Sequence, residues 1–134
     1  TSSEVFAEHE AVDEIDAPHY VSWADVERDL SAWHSNDMQV DALRSVFALE
    51  DEVLASGDEQ LIDDWRRLTT SDHFYYMCTK WFADGDVHTY FNPYQTPYDA
   101  FIAYMNVLHD VQLRLKDIKT RKTNGRAVAL RKVT

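Results

Sequence analysis

The chain has 134 residues and 15.6 kDa of mass, with 45% hydrophobic and 28% charged residues, enough for one buried core and short for two domains. Three glycines and three prolines leave little material for a phosphate-binding loop or a meander of short strands, so the composition favours helices. The net charge of -11 is unevenly spread: residues 1–110 hold 23 acids against 5 bases, and residues 111–134 hold 1 acid against 8 bases. So acidic a body repels nucleic-acid phosphates, which excludes nucleic acid as the expected partner.

The lone cysteine, Cys78, can form neither an internal disulfide nor a Cys-rich zinc site. A reducing, cytoplasmic setting is the expectation. No apolar run reaches the ~18 residues of a membrane span, and Thr-Ser-Ser-Glu at the start lacks the layout of a signal peptide. Lys80 is the sole lysine before Lys116, and such Asp-rich, Lys-poor surfaces stay soluble in strong salt, which points to a salt-loving source.

In chain order, Thr1 to Val12 opens with a helical turn capped by Ser2 or Ser3, and Asp13 to Val21, interrupted by Pro18, is a connector. Ser22 with Asp25 forms a capping-box variant, and Trp23, Val26, Leu30 and Trp33 follow at helical spacing, so a helix is expected to run to about Asn36. A longer helix is expected over Asp37 to Ser56, with Leu43, Val46, Phe47, Glu50, Val53 and Leu54 along one stripe. Gly57 closes it, and Asp58 caps the next helix, which carries Leu61, Trp65 and Leu68. Thr69, Thr70, Ser71 and Asp72 favour caps and turns, so the chain breaks there before the aromatic run Phe74 to Met77. Ala83 to Pro97 is a long aromatic-rich loop. Pro97 opens a last helix with Phe101, Met105, Leu108, Gln112 and Leu115 on one face, ending near Ile118. The basic tail at 119–134, with Asn124-Gly125 as a turn, is set apart from a helical domain at 1–118. The fold class is all-α: a helical bundle with one long loop.

Enzyme motifs are mostly absent: there is no Gly-x-Ser-x-Gly, Walker loop, dinucleotide fingerprint or His-Glu-x-x-His. Asp84-Gly85-Asp86-x-His88 has alternating ligand atoms but lacks the further acids and terminal Glu of a calcium loop, so no metal or other cofactor is expected. The more informative feature is 4 Trp, 7 Tyr and 6 Phe, several beside polar groups. Aromatic rings bury the apolar faces of a pyranose while neighbouring polar groups bind its hydroxyls, and the same rings also serve as ordinary core.

Three stretches resemble glycoside hydrolase family 57, the α-glucan-active family, in the region after its catalytic barrel. They are Ser22-Trp23-Ala24-Asp25-Val26-Glu27-Arg28-Asp29-Leu30-Ser31-Ala32-Trp33, then Trp65-Arg66-Arg67-Leu68-Thr69-Thr70-Ser71-Asp72-His73-Phe74-Tyr75-Tyr76-Met77, and then Asp84 to Asn92-Pro93-Tyr94 with Met105-Asn106-Val107-Leu108. The second is similar to the last conserved region of that family. The third is similar to its alpha-amylase-like members. Where the family commonly reads Trp-Leu-Gly-Asn, this chain has Trp33-His34-Ser35-Asn36.

The resemblance implies a C-terminal helical region that packs on a (β/α)7 barrel and helps to close the sugar cleft of a retaining α-glucan hydrolase or glucanotransferase. Its Glu and Asp catalytic pair would stand about 5–5.5 Å apart on the barrel. No catalytic residue is assigned to this chain, which is expected to be inactive alone. The expected partners are that barrel and an α-glucan or maltooligosaccharide. The resemblance places Asp72 at the cleft-facing aspartate of the last conserved region, and a helix N-cap is its alternative role. His73, Tyr75 and Tyr76 accompany it, and Trp23 and Trp33 are candidate stacking platforms. A reading from another class remains beside this one: a freestanding helical module whose aromatic face binds a protein partner.

Overall fold

The computed structural model describes residues 1–22, 27–80 and 92–131, the last seven of these by backbone alone. Helices α1 (Ser2–Glu8), α2 (Asp37–Phe47), α3 (Glu50–Ser56), α4 (Glu59–Leu68), α5 (Ser71–Tyr75) and α6 (Pro97–Arg131) follow one another, with no strand among the described residues. The expected all-α class holds. The long α6 lies against α2, α3 and α4, while α5 packs on α2. None of the helices in the described residues is long and apolar enough to cross a membrane.

Side-chain caps set the starts of α1, α2 and α4. Thr1, rather than Ser2 or Ser3, caps α1 through a capping box with Glu4, and none of its residues is buried. Residues 27–36, expected to be helical, are a series of turns in which Trp33 and His34 both donate to the carbonyl of Leu30 and Arg28 takes a left-handed φ of 56°. Trp23 to Val26, which carry the rest of that expected helix, lie outside the described residues.

The single helix expected over 37–56 is two helices, broken at Ala48 and Leu49. No glycine or proline marks the place. Leu49 N–H tightens onto the Val46 carbonyl at 3.2 Å, and the Trp65 indole Nε1–H donates to the same oxygen at 2.9 Å. A tertiary hydrogen bond thus competes with the helical ladder, and α3 turns away from α2. The rotation leaves Phe47 and Leu54 half exposed and buries Ala42, Val46 and Val53.

Gly57 ends α3 at φ 64°, and the Asp58 carboxylate accepts the Leu61 amide at 2.9 Å to start α4, both as expected. A Cβ at Gly57 would meet nothing within 4 Å, so only backbone strain opposes one. Gly57→Ala is expected to cost about 1 kcal/mol in chemical denaturation.

On α4, Leu61, Trp65 and Leu68 recur at i, i+4 and i+7 and are buried, as their spacing requires. Burial of each such side chain stabilises the fold by roughly 1.5–3 kcal/mol. Thr96 and Asp99 make reciprocal hydrogen bonds around Pro97 at the start of α6, Thr96 Oγ1 accepting the Asp99 amide while Asp99 accepts from Thr96 N–H. The buried stripe of α6 is Ala100, Tyr104, Leu108, Val111 and Leu115, with Phe101 and Met105 half-buried at its edge and Gln112 exposed. It is therefore rotated from the expected face toward Tyr104 and Val111.

Helix α6 also continues past Ile118 to Arg131, through the Asn124-Gly125 pair read as a turn. Thr120 and Thr123 return their hydroxyls to carbonyls one turn back, at 2.9 Å each, and so stay compatible with helix. Lys119 pairs with Glu52 of α3 at 2.6 Å, and Lys122 Nζ donates to the carbonyl of Ser56. The basic segment is thereby laid along the acidic α3.

A second ionic link joins α4 to α6. Arg114 Nη1 donates to Asp64 at 2.8 Å and Nε approaches Asp110 at 2.9 Å. The hydrogen bond from Arg114 holds the Asp64 carboxyl below its ordinary value of 3.8. A carboxyl depressed on folding lends stability above its unfolded value and loses it as pH falls through the folded one. Asp64→Asn is therefore expected to lower the thermal midpoint near neutral pH, with the gap to the unsubstituted chain closing as pH falls through the lowered value of Asp64.

Candidate functional site

Of the residues singled out in the sequence, Asp72, His73, Tyr75 and Tyr76 lie on α5 or at its end, and Trp33 lies on the turn that faces it. Thr70 occupies the cap position of α5 without a side-chain cap bond, and Asp72 lies two residues into the helix, so the N-cap role weighed for Asp72 is not the one it plays. Phe74 is the inward residue, 3% exposed, and rests on Tyr104 with ring centroids 5.5 Å apart. Helical spacing then sends Asp72 outward, with Tyr76 one turn on beside it and Tyr75 on its other flank. Asp72 is exposed, whereas His73, Tyr75 and Tyr76 are half-buried.

Two aromatic pairs flank the carboxylate. On one side Trp33 meets Tyr75 at 5.5 Å with a 37° tilt, and on the other Tyr76 meets Tyr94 at 6.1 Å and 60°. Burial raises the Tyr76 hydroxyl above its ordinary value, and the neighbouring Asp72 charge adds to that effect. Tyr76 is therefore a neutral donor and acceptor at any physiological pH. The surface offers a carboxylate that only accepts hydrogen bonds, phenol groups that do both, and partly open ring faces.

The elements that hold this surface meet at a buried glutamine. Gln39, 0% exposed, donates through Nε2 to the carbonyls of Ala32 at 2.7 Å and Phe74 at 3.0 Å. Its Oε1 accepts from the amides of Ser35 at 2.9 Å and Asn36 at 3.2 Å. Asn36 returns the bond by capping α2 through the Gln39 amide, and its Nδ2 donates to the Met77 carbonyl at 2.9 Å. The turn bearing Trp33 and the helix bearing Asp72 are thus tied to one side chain. Asn36 acts here as a structural link. Gln39 was missed in the sequence reading, although Asn36-x-x-Gln39 has capping-box spacing.

Tyr104 secures the far side. It is 4% exposed, donates its hydroxyl to the Leu68 carbonyl at 3.0 Å, and lies 5.5 Å from the His73 ring; burial pushes the hydroxyl well above its ordinary value. An open groove of about 270 Å³ runs beside it between α4, α5 and α6. A larger hollow of about 530 Å³ lies between residues 17–20 and Asp29–Leu30, bordered by exposed chain rather than packed helices.

Trp23 lies outside the described residues, as do Trp81 to Phe91, most of the expected aromatic loop, and with them the Asp84 to His88 stretch. Among the described residues no group of three or more His, Cys, Asp or Glu side chains could hold a metal ion. Cys78 is a buried free thiol.

Comparison with known proteins adds one relative to this geometry. The chain is 32% identical over 106 residues to a protein of Methanocaldococcus jannaschii named "Putative alpha-amylase", a match that spans 73% of this chain and 23% of that protein. The chain is thus a helical protein distantly similar to an amylase-named protein, and it spans about a quarter of that relative's length. No protein-family model matches the chain, and no solved structure matches it.

Proposed function

We propose that this chain is the helical, substrate-contacting region of an α-glucan-acting glycoside hydrolase of the family 57 kind. The observation that carries this reading is the similarity to the amylase-named relative across 73% of the chain, a span too long to miss α5, which lies near the middle of the sequence. The catalytic carboxylates are assigned to a barrel elsewhere in the parent enzyme, a hydrolase or a glucanotransferase, and no cofactor is required. Asp72 accepts hydrogen bonds from sugar hydroxyls, the Trp33–Tyr75 pair presents ring faces to a pyranose, and Tyr76 and His73 add further polar contacts. Walls of this kind orient a glucan and keep stray water from a reacting sugar.

Titration of the chain with maltoheptaose, followed by backbone amide shifts, tests the reading. Weak saturable shifts are expected in Trp33 and in Asp72 to Tyr76. Asp72→Ala is expected to weaken binding about tenfold, equivalent to roughly 1.4 kcal/mol. Shifts centred away from α5, or none at millimolar sugar, would refute it. Capture of a protein through the same face would favour the interaction module instead.

A further inference from the structure

We infer that the sugar-binding surface is two-sided: the groove beyond Tyr94 is a second glucosyl subsite, and a longer α-glucan crosses α5 from Trp33 to Tyr94. This rests on the reading just given and extends it to a residue, Tyr94, and a groove that the sequence did not single out as a site.

The groove meets the first surface at Tyr94. Tyr76 stands on the same helix face as Asp72 and touches Tyr94, whose ring forms a wall of the groove, and His73 forms another. Leu68, Ala103 and Val107 supply an apolar floor, and Arg67 stands at the rim. An apolar floor, an aromatic wall and a few polar edge groups suit a sugar ring, which has C–H faces and a belt of hydroxyls. The volume of about 270 Å³ lies just under the roughly 300 Å³ at which small-molecule pockets begin, the scale of a single ring rather than a long ligand. Tyr94 is also held in place. Its amide donates to the Asn92 side chain at 3.0 Å, its ring packs on the core, and the Thr96 cap of α6 follows two residues later. A platform fixed in this way loses little freedom when a ligand stacks on it.

A site with platforms on both sides of Asp72 binds a long chain better than a short one. A single platform binds both alike. The test is a length series from maltose to maltoheptaose against the whole chain by calorimetry, with thermal melts confirming that each variant folds. The expected result is an association constant that climbs about tenfold or more along the series. In Tyr94→Leu, which keeps apolar bulk but removes the ring, the climb should flatten while maltose binding persists. Val107→Gln, an exposed floor position that is half open to solvent at 51%, should flatten it as well without touching the core. Tyr94→Phe should keep the climb.

Maltose binding with no gain in affinity along the series would overturn the second subsite and leave the first reading standing. So would a climb that survives both Tyr94→Leu and Val107→Gln. Failure of every sugar to bind would overturn both together.

Discussion

Replacing Gln39 by leucine is expected to cost about 3–4 kcal/mol, a large share of the roughly 5–15 kcal/mol that holds a domain of this size. Leucine fills much of the same volume but leaves the carbonyls of Ala32 and Phe74 and the amides of Ser35 and Asn36 without the partner they share. Each buried orphan costs about 1–3 kcal/mol, and water reaches those near the exposed Ser35 most readily. Urea denaturation measures the loss. Near-ultraviolet circular dichroism should report the separation of Trp33 from Tyr75. Gln39→Glu is the sharper control, because its carboxylate would face two carbonyl oxygens where an amide donated. Its folded pKa must then be raised, so the variant should be least stable at high pH and recover as pH falls and the carboxyl is protonated. A leucine variant as stable as the unsubstituted chain would show that the glutamine does not join the two segments.

Trp65→Ala is expected to cost about 3–5 kcal/mol, the range for deleting a buried aromatic ring. The indole is 5% exposed, meets Phe47 edge-on at 6.5 Å, and donates to the Val46 carbonyl at the break between α2 and α3. Trp65→Phe keeps most of the packing but drops the donor, and about 1–2 kcal/mol is expected for it. The ratio of the two losses in one denaturation series separates packing from hydrogen bonding. Equal losses would mean that the indole hydrogen bond, rather than ring volume, sets the stability of the α2–α3 elbow.

That elbow shows where sequence reasoning stopped. Caps and glycines were legible because they act locally: Gly57, Asp58 and Pro97 each mark a helix end that the structure keeps. The buried spacing of Leu61, Trp65 and Leu68 was legible for the same reason. The break at Ala48 was not, since it follows from an indole 19 residues along the chain from the Val46 carbonyl it binds. The helix expected between Ser22 and Asn36 gives way, over 27–36, to turns held by Gln39 and by Lys80, which binds Ser31 and pairs with Glu27 at 3.4 Å. The rotation of α6 reflects Tyr104, a residue that looks amphipathic in sequence but finds both a dry ring contact and a carbonyl for its hydroxyl. Around α5 the residues were legible and their grouping was not. Asp72, Tyr75 and Tyr76 could be named from the chain, but pairing one ring with Trp33 and the other with Tyr94 depends on contacts across about 20 to 40 residues.

The position of α6 sets the order in which the polypeptide can become a protein. Helices α2, α3 and α4 each lean on it, and Tyr104, Leu108, Val111 and Leu115 complete the core that Val46, Val53, Leu61 and Trp65 begin. During synthesis at about 5–20 residues per second, the earlier helices leave the ribosome several seconds before that closing surface exists. Although Trp65 already ties α4 to α2, the apolar faces that α6 covers must wait open. Docking of α6 thus completes this core, and before it emerges the waiting faces are open to chaperones and proteases.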